Sequence, residues 1–291
     1  MEKDVGKFWE QDAAEHMGFA YQYGNNPDVR YPLYEIRKDI TFDILSKRPK
    51  GRLLDAGCGA GHVLVEAVQK GWQAQGFDFS RAMVELAHEY LRQHDLDPSL
   101  VHQGAISNLS AYRDNHFDAV SILGVSQYIP ADEDTQAWNE VRRVLKPGGI
   151  VIIDWVNALF DLLTFNRFTV RFMADEILPK FFPAERLAEL EGRIAALITN
   201  PDKPSTTGLY ATRRDHVTKR TENPLTVGAR MKTLGFETKD LLFFRLHAVP
   251  PLLFPEEPGL EAAAIAQERK LEHHWIGHFV ASCFITVLEK P

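Results

Sequence analysis

Residues 53–61 read Leu-Leu-Asp-Ala-Gly-Cys-Gly-Ala-Gly, and this stretch decides the fold class of the chain. Its apolar start predicts a buried strand, which ends in the acid Asp55 and breaks into a loop with three glycines. Glycine lets the backbone turn sharply and approach a ligand without interference from a Cβ atom, and the run from His62 to Gln69 can then begin a helix. The stretch therefore predicts a cradle for a nucleotide-type ligand.

The charge of Asp55 and the spacing of the glycines indicate which ligand to expect. A carboxylate beside the loop repels a pyrophosphate and attracts the amino group of an amino-acid moiety. Sites for NAD favour the spacing GxGxxG, whereas His62 stands where the last glycine of that pattern would be. We expect S-adenosylmethionine rather than NAD. For the loop taken alone, an ordinary tight turn between a strand and a helix is the alternative.

A second acidic segment, residues 76–80, follows the loop by one strand-helix-strand interval. Asp78 stands where an acid at the end of the second strand can accept hydrogen bonds from both ribose hydroxyls. The alternative for Asp78 is a helix cap, and Ser80 could equally cap the helix predicted over residues 81–92. The spacing favours ribose binding.

Four motifs, in this order, resemble those of the class I S-adenosylmethionine-dependent methyltransferases. They are LLDAGCGAG (53–61), GFDFS (76–80), FDAVSILGVSQYI (117–129) and VRRVLKPGG (141–149). The resemblance covers residues 53–157 continuously. It implies a Rossmann-like sheet, S-adenosylmethionine as the cofactor and methyl transfer as the reaction.

The resemblance also implies a set of cofactor contacts. These are Asp55, Ala56 and Gly57 with the methionine end, Asp78 with the ribose, and Phe79, Gly104, Ala105 and Ile106 with the adenine. Gly59 of the loop and Leu123, at the end of the fourth predicted strand, complete the set. Many members of the family carry an aspartate at the position of Ala105, which accepts from the adenine amino group. Here that role would fall to backbone groups such as the Ile106 amide, and to Ser107 or Asn108.

Two residues outside the four motifs could also reach the cofactor. Tyr23 belongs to an amino-terminal arm rich in aromatic residues, and in resembling enzymes such arms fold over the cofactor; packing of the arm onto the core is an equal alternative. Arg37, in the helix predicted over residues 34–45, could bind the cofactor carboxylate. The alternative for Arg37 is a solvated position on the helix face.

Catalytic residues leave a weak signal, because methyl transfer needs mainly in-line placement of the acceptor and exclusion of water. Tyr128, after the fourth strand, stands where related enzymes often place a histidine. An ordinary tyrosine has a pKa of about 10 and is a poor base, so we expect Tyr128 to shape the pocket. His216 is a candidate base if its segment folds over the cofactor, and a loop histidine without function is the alternative.

Composition limits the classes of function. The chain has 291 residues, of which 45% are hydrophobic, enough for a substantial core with an elaboration. A formal net charge of -7 argues against a nucleic-acid partner. The two cysteines, Cys58 and Cys283, do not suggest a disulfide framework, and no apolar segment reaches the length of a membrane span. We expect a soluble, cytoplasmic protein with a small-molecule substrate, no DNA partner, no membrane and an oligomeric state left open.

Alternating strand and helix patterns predict a doubly wound α/β fold. We expect a Rossmann-like, mostly parallel seven-stranded sheet with an antiparallel last strand and a helical lid insertion. The predicted strands are residues 52–55, 73–77, 101–103, 119–123, 150–155, 236–246 and 279–289. Predicted helices between and after them include residues 132–144, 224–234 and 260–271, with a turn at 146–149. The predicted divisions are an arm and cofactor core (1–157), a lid or substrate region (158–222) and the rest of the core (223–291).

Two clusters lie outside the motifs. His273, His274 and His278 raise the question of a metal site, but Gly277 interrupts the helix that would align them, so we predict none. The basic cluster consists of Arg213, Arg214, Lys219 and Arg220. It could meet a phosphate or carboxylate of a substrate, although a solvated loop is favoured.

The sequence predicts a methyltransferase that acts on an oxygen or nitrogen of a small molecule, such as a sugar, a saccharide intermediate or a secondary metabolite. One alternative is a protein or RNA methyltransferase. The other is a regulatory module that binds the cofactor without turnover.

Overall fold

The computed structural model describes residues 33–198, 220–250 and 259–291. Its strands are β1 (Arg52–Ala56), β2 (Gln73–Asp78), β3 (Val101–Gln103), β4 (Phe117–Ile122), β5 (Leu145–Val156), β6 (Glu237–Leu246) and β7 (Ala281–Glu289). They form one seven-stranded sheet in the order β3-β2-β1-β4-β5-β7-β6. β7 runs antiparallel to both of its neighbours, and the strands from β3 to β5 pair in parallel. The predicted fold class is confirmed.

Helices cover both faces of the sheet. They are α1 (Leu33–Ser46), α2 (His62–Gln69), α3 (Arg81–Gln93), α4 (Asp134–Val144), α5 (Arg167–Phe172), α6 (Leu178–Phe181), α7 (Ala184–Leu197), α8 (Val227–Thr233), α9 (Gly259–Leu271) and α10 (Gly277–Val280). Because successive strand residues point to opposite faces, Leu53 joins the apolar cluster under α1, α2 and α3, while Leu54 joins the cluster under α4 and α8. The chain order reverses between β1 and β4, which places a crevice at the carboxyl ends of these two strands.

β5 begins earlier than the sequence predicts. The turn expected at residues 146–149 is wrong, because Leu145 already pairs with Phe117 and the strand runs from there to Val156. Pro147 and Gly148 are typical turn residues. Here the strand absorbs them through a register shift opposite residues 117–119, and Gly148 takes a positive φ of 72°.

Several other element ends also differ from the predictions. α4 begins at Asp134 rather than at 132, and Glu133 precedes it without a side-chain cap hydrogen bond. α8 begins at Val227 rather than at 224. The predicted last strand includes residues that form α10 instead, so Gly277 begins a short helix and β7 starts at Ala281.

The insertion leaves and rejoins the sheet at one place. Asn157 forms a bridge with Glu222, and the amide of Ala158 donates to the Glu222 carbonyl at 3.0 Å. Its described part, residues 158–198, is helical: a 3₁₀ turn over Ala158–Leu163 is followed by α5, a π turn over Met173–Ile177, α6 and α7. The predicted helical insertion is confirmed for these residues. Its role as a lid and the division points at 157 and 222 stay predictions.

Candidate functional site

The glycine loop between β1 and α2 has the backbone geometry that only glycine adopts without strain. Gly57, Gly59 and Gly61 have φ values of 75°, 52° and 85°. A Cβ atom at Gly57 would lie 2.3 Å from Val125 Cγ2, so this glycine permits close packing of the loop on the segment after β4. A Cβ atom at Gly59 would meet nothing within 4 Å, so the loop is open on that side.

Asp78, at the end of β2, ties the glycine loop to α3. Its Oδ2 accepts from the Gly59 amide and its Oδ1 from the Ser80 amide, both at 2.9 Å. A carboxylate oxygen can accept more than one hydrogen bond, so Asp78 has the chemistry to accept from ribose hydroxyls. Ser80, not Asp78, is the helix cap, because its hydroxyl accepts from the Met83 amide.

Asp55 lies beneath the loop with 3% of its surface exposed. The Ser121 hydroxyl donates to its Oδ1 at 2.8 Å. Burial raises the pKa of Asp55 to about 6, although the hydrogen bond from Ser121 and the charge of Arg37 act in the opposite direction. The carboxylate is therefore ionised at neutral pH and half protonated near pH 6.

A buried ion pair fixes the turn after β4. Arg37 of α1 donates to Asp154 Oδ2 at 3.0 Å, and the Gly124 amide donates to Asp154 Oδ1 at 2.6 Å. The guanidinium lies directly over Gly124, where a Cβ atom would come within 2.9 Å of Nη1. Arg37 is 9% exposed, so the alternative of a solvated helix face is wrong. The Ser126 hydroxyl completes the arrangement by donating to the Asp154 carbonyl at 2.6 Å.

The predicted adenine edge lies in the loop after β3. The Gly104 amide donates to the Asp78 carbonyl, and Ala105 is exposed and bridges to Asn108. The Ile106 amide makes no hydrogen bond within the described part of the chain, which leaves it available to a ligand. Ser107 is less suitable than expected, because its hydroxyl donates to Glu133 at 2.6 Å.

One face of α4 and the residue before it hold this loop in place. Glu133, Gln136, Glu140 and Arg143 recur at helical spacing, and each bonds the segment 107–114. Arg143 donates to the carbonyls of Leu109 and Tyr112 and to the carboxylates of Asp114 and Glu140. Glu140 in turn accepts from the Leu109 amide at 2.8 Å. We refer to these four residues as the α4 stripe.

The other predicted site residues are placed as follows. Phe79 is 39% exposed beside Asp78, while the side chain of Ala56 is fully buried, so only the backbone of Ala56 could meet a ligand. Leu123 is buried just past β4, and Tyr128 is partly exposed in the 3₁₀ turn Ser126–Tyr128. Tyr23 and His216 lie outside the described residues.

Members of the histidine cluster and of the basic cluster bond to different residues of the chain. His273 bonds Asp240, and His278 Nδ1 contacts the Trp275 carbonyl. No group of three or more metal-binding side chains occurs in residues 33–198, 220–250 and 259–291. Within the basic cluster, Arg220 donates to Asp134 at 2.9 Å, and the other three members are not described.

Several functional candidates escaped the sequence analysis. Asp154 and Ser121 are polar residues near the carboxyl ends of the otherwise apolar strands β5 and β4. That position could have identified them as candidates from the sequence. The α4 stripe could have been found from its helical spacing of polar residues within an amphipathic helix.

The known proteins that this chain is similar to are methyltransferases. Residues 54–153 match the family described as a methyltransferase domain. The chain is 34% identical over 107 residues to YqeM of Bacillus subtilis (strain 168), a protein named as a candidate methyltransferase. This match covers 36% of this chain and 42% of that protein. It is 28% identical over 129 residues to the ubiquinone biosynthesis O-methyltransferase of Alkalilimnicola ehrlichii, covering 43% and 51%. The matches thus span about half the length of these curated relatives.

Solved structures share the fold. A methyltransferase of Thermotoga maritima described as S-adenosylmethionine-dependent has a TM-score of 0.53 at 16% identity, covering 99% of this chain and 100% of that one. The geranyl diphosphate C-methyltransferase of Streptomyces coelicolor A3(2) has a TM-score of 0.53 at 12% identity, covering 99% and 97%. The resemblance stated from the sequence is confirmed. None of the described helices has the length and apolar character needed to cross a membrane.

Proposed function

We propose that this chain, whose residues 54–153 match a methyltransferase domain, is a class I S-adenosylmethionine-dependent enzyme that transfers a methyl group to an oxygen or nitrogen atom of a small molecule. Bound S-adenosylmethionine supplies a methyl group made electrophilic by the positive charge on sulfur. The chain's own residues bind and orient the cofactor and exclude water from the reacting atoms.

The observation that carries the proposal is the placement of Asp78. Its carboxylate lies at the end of β2 and orders both the glycine loop and the start of α3. An acid at this strand end is the acceptor that a ribose diol needs. The exposed ring of Phe79 follows directly and offers a face to the adenine, beside the Ile106 amide.

The methionine end of the cofactor would lie over the glycine loop. Asp55 attracts its amino group, because the carboxylate is ionised at neutral pH and little solvent screens it. Arg37 stands over Gly124 at the next strand end and would meet the carboxylate. Its ion pair with Asp154 fixes the guanidinium before the ligand arrives.

Three features support a small molecule as the acceptor. The chain is acidic overall, with a net charge of -7, and Arg220 of the basic cluster is already neutralised by Asp134. The insertion at the carboxyl edge of the sheet exposes large apolar side chains, Phe165, Phe181 and Phe182, which suit an acceptor with an apolar part. The Alkalilimnicola ehrlichii relative is named for ubiquinone biosynthesis, in which the acceptor is a small molecule.

Two experiments test the proposal. Calorimetry with S-adenosylmethionine and S-adenosylhomocysteine should give one saturable site on the intact chain. Transfer of a labelled methyl group is then followed against three separate pools: small metabolites, protein and RNA. We expect product in the metabolite pool.

Each outcome decides between the alternatives. Label in protein or RNA would replace the small-molecule acceptor, and cofactor binding without label in any pool would favour a regulatory module. The absence of binding would overturn the proposal altogether. A cytoplasmic setting, expected from the sequence, stays a prediction.

A further inference from the structure

Asp161 is an acid of the insertion whose carboxylate has no hydrogen-bond or ion-pair partner in the described part of the chain. It lies in the 3₁₀ turn Ala158–Leu163, the first element after β5. A 3₁₀ helix rises about 2 Å per residue, so Asp161 stands roughly 8 Å along the turn from Asn157. It therefore belongs to the layer just above the carboxyl edge of the sheet, where ligands of open α/β folds bind.

The backbone around Asp161 is firmly held. Asn157, 1% exposed, accepts from the Leu159 amide and donates to the carbonyls of His278 and Ala281. The hydroxyls of Thr164 and Thr169 each donate to the Asp161 carbonyl at 2.8 Å. These hydrogen bonds fix the backbone both at the start of the turn and at Asp161.

The carboxylate of Asp161, in contrast, has no hydrogen-bond or ion-pair partner among the described residues. Arg171 of α5 is the cation that acts on it, but the Arg171 Nε donates to Asp175 at 3.3 Å. Other titratable side chains on the elements packed against the turn are Arg167 of α5, His278 of α10, and Cys283 and Glu289 of β7. His247 also lies near, with its ring 4.5 Å from that of Phe160. Asp161 is partly buried, and acids whose surroundings disfavour the charged form concentrate at functional sites.

We propose that Asp161 is the general base that takes the proton from the methyl acceptor, an inference that rests on the proposed function. The acceptor's O–H or N–H bond breaks as its electron pair forms the new bond to the methyl carbon. The proton goes to a carboxylate oxygen of Asp161, and the electron pair of the breaking carbon–sulfur bond stays on sulfur. Positive sulfur and negative carboxylate become a neutral thioether and a neutral acid, so charge and atoms balance.

Burial supports this role by tuning the acid. It raises the pKa of Asp161 to about 7, and the charge of Arg171 lowers it only in part. A general base is most effective when its pKa lies near the working pH. The neighbouring Asp175 is exposed and paired, which makes it a matched control in the same segment.

The variants are Asp161→Asn, Asp161→Glu and Asp175→Asn, tested with phenol and benzylamine as probe acceptors. In the wild type, kcat/KM with phenol should rise as the pH rises through about 7 and then level off, because the base must be ionised. Asp161→Asn should lower kcat about 10²–10⁴-fold and lose that limb, with cofactor affinity unchanged by calorimetry. Asp161→Glu should keep the rise of kcat/KM with pH and part of the wild-type kcat. Asp175→Asn should change neither kcat nor the pH dependence.

A second readout needs no acceptor or cofactor. In protein labelled with ¹³C at the aspartate carboxyls, one resonance should titrate near pH 7 and disappear in Asp161→Asn. The stability of the fold should also depend on pH, because the folded carboxyl keeps its proton to about pH 7 and an unfolded one only to about pH 4. As the pH rises from about 4 to about 7, the free energy of unfolding should therefore fall in the wild type and fall less in Asp161→Asn.

The outcomes separate the two proposals. Wild-type turnover with an unchanged rate and pH profile in Asp161→Asn would overturn the role of Asp161 and leave the proposed function standing. The absence of a carboxyl titrating near pH 7 would also overturn it. No methyl transfer to either probe or to any pool, with cofactor bound, would overturn the proposed function and this role together.

Discussion

The acids at the cofactor side of the sheet and the acid in the insertion differ in how their carboxylates are satisfied. Asp78, Asp154 and Glu140 each accept at least two hydrogen bonds, mostly from backbone amides of the loops they hold. Asp161 accepts none at its carboxylate within the described residues. The acids of the cofactor side thus order the loops around them, whereas Asp161 of the insertion is the acid that we propose as the base for the methyl acceptor.

The same contrast holds for apolar groups. The strands β1, β4 and β5 are almost entirely buried, and their loops carry glycine where a side chain would not fit. The insertion exposes Phe181 to 75% and Leu197 to 81%, and α7 has no buried residue. An acceptor with an apolar part would find uncovered surface on the insertion, and the cofactor would find a preformed crevice.

The largest expected effect comes from Gly57→Val. This change puts a branched side chain at a φ of 75° and 2.3 Å from Val125. Strain and overpacking together should cost about 2–5 kcal/mol, and cofactor binding should become undetectable by calorimetry. Gly71→Ala is the matched control, because Gly71 has a φ of 88° with open space around it and lies away from the site. Equal affinity in Gly57→Val and Gly71→Ala would show that the loop does not hold the ligand.

The next effect is that of Asp78→Ala, which removes the anchor of the glycine loop and the proposed ribose acceptors. Cofactor affinity should fall about 10–100-fold, the loss expected for charged hydrogen bonds. Asp118→Ala is the control: Asp118 accepts from the Arg52 amide and from Lys146, but at the amino end of β4, far from the crevice. Asp118→Ala should lose stability and keep its affinity for the cofactor. Unchanged affinity in Asp78→Ala together with weakened affinity in Asp118→Ala would place the ligand elsewhere.

Local chemistry made the cofactor side readable from the sequence. An acid followed by alternate glycines, and a second acid one strand later, have few uses other than a nucleoside site, and both acids lie at the strand ends where they were expected. Ion pairs over long separations were not readable, because Arg37 and Asp154 are 117 residues apart. The turn at Pro147 was misread, since local turn propensity gave way to pairing with β4. Asp161 could not be identified from the sequence, because whether a carboxylate has a partner depends on the residues that the fold places around it.

A smaller effect should follow from Arg143→Met in the α4 stripe. The change removes five hydrogen bonds, three to the segment after β3 and two to Glu140, and should cost roughly 1–3 kcal/mol of unfolding free energy. Cofactor affinity should fall only severalfold, with the loss confined to the adenine part. Comparing adenosine and methionine as competing ligands would check this. Arg142→Met should leave the competition unchanged, because among the described residues the Arg142 guanidinium donates to the Gly235 carbonyl and not to the segment after β3.

The last expected effect is a pH dependence of cofactor affinity that comes from Asp55. Its pKa of about 6 means that protonation removes the charge facing the cofactor amino group as the pH falls. Only about a tenth of the carboxylate remains at pH 5, so affinity should weaken up to about tenfold between pH 8 and pH 5. Asp55→Asn should bind weakly at both values. A wild-type affinity independent of pH would separate Asp55 from the cofactor amino group.

The most direct measurement is a calorimetric titration of the intact wild-type chain with S-adenosylhomocysteine and, separately, with NAD. The account predicts one saturable site for S-adenosylhomocysteine, lost in Gly57→Val and weakened in Asp78→Ala, and no heat of binding for NAD. Binding of NAD instead, or binding of S-adenosylhomocysteine that neither substitution alters, would contradict it.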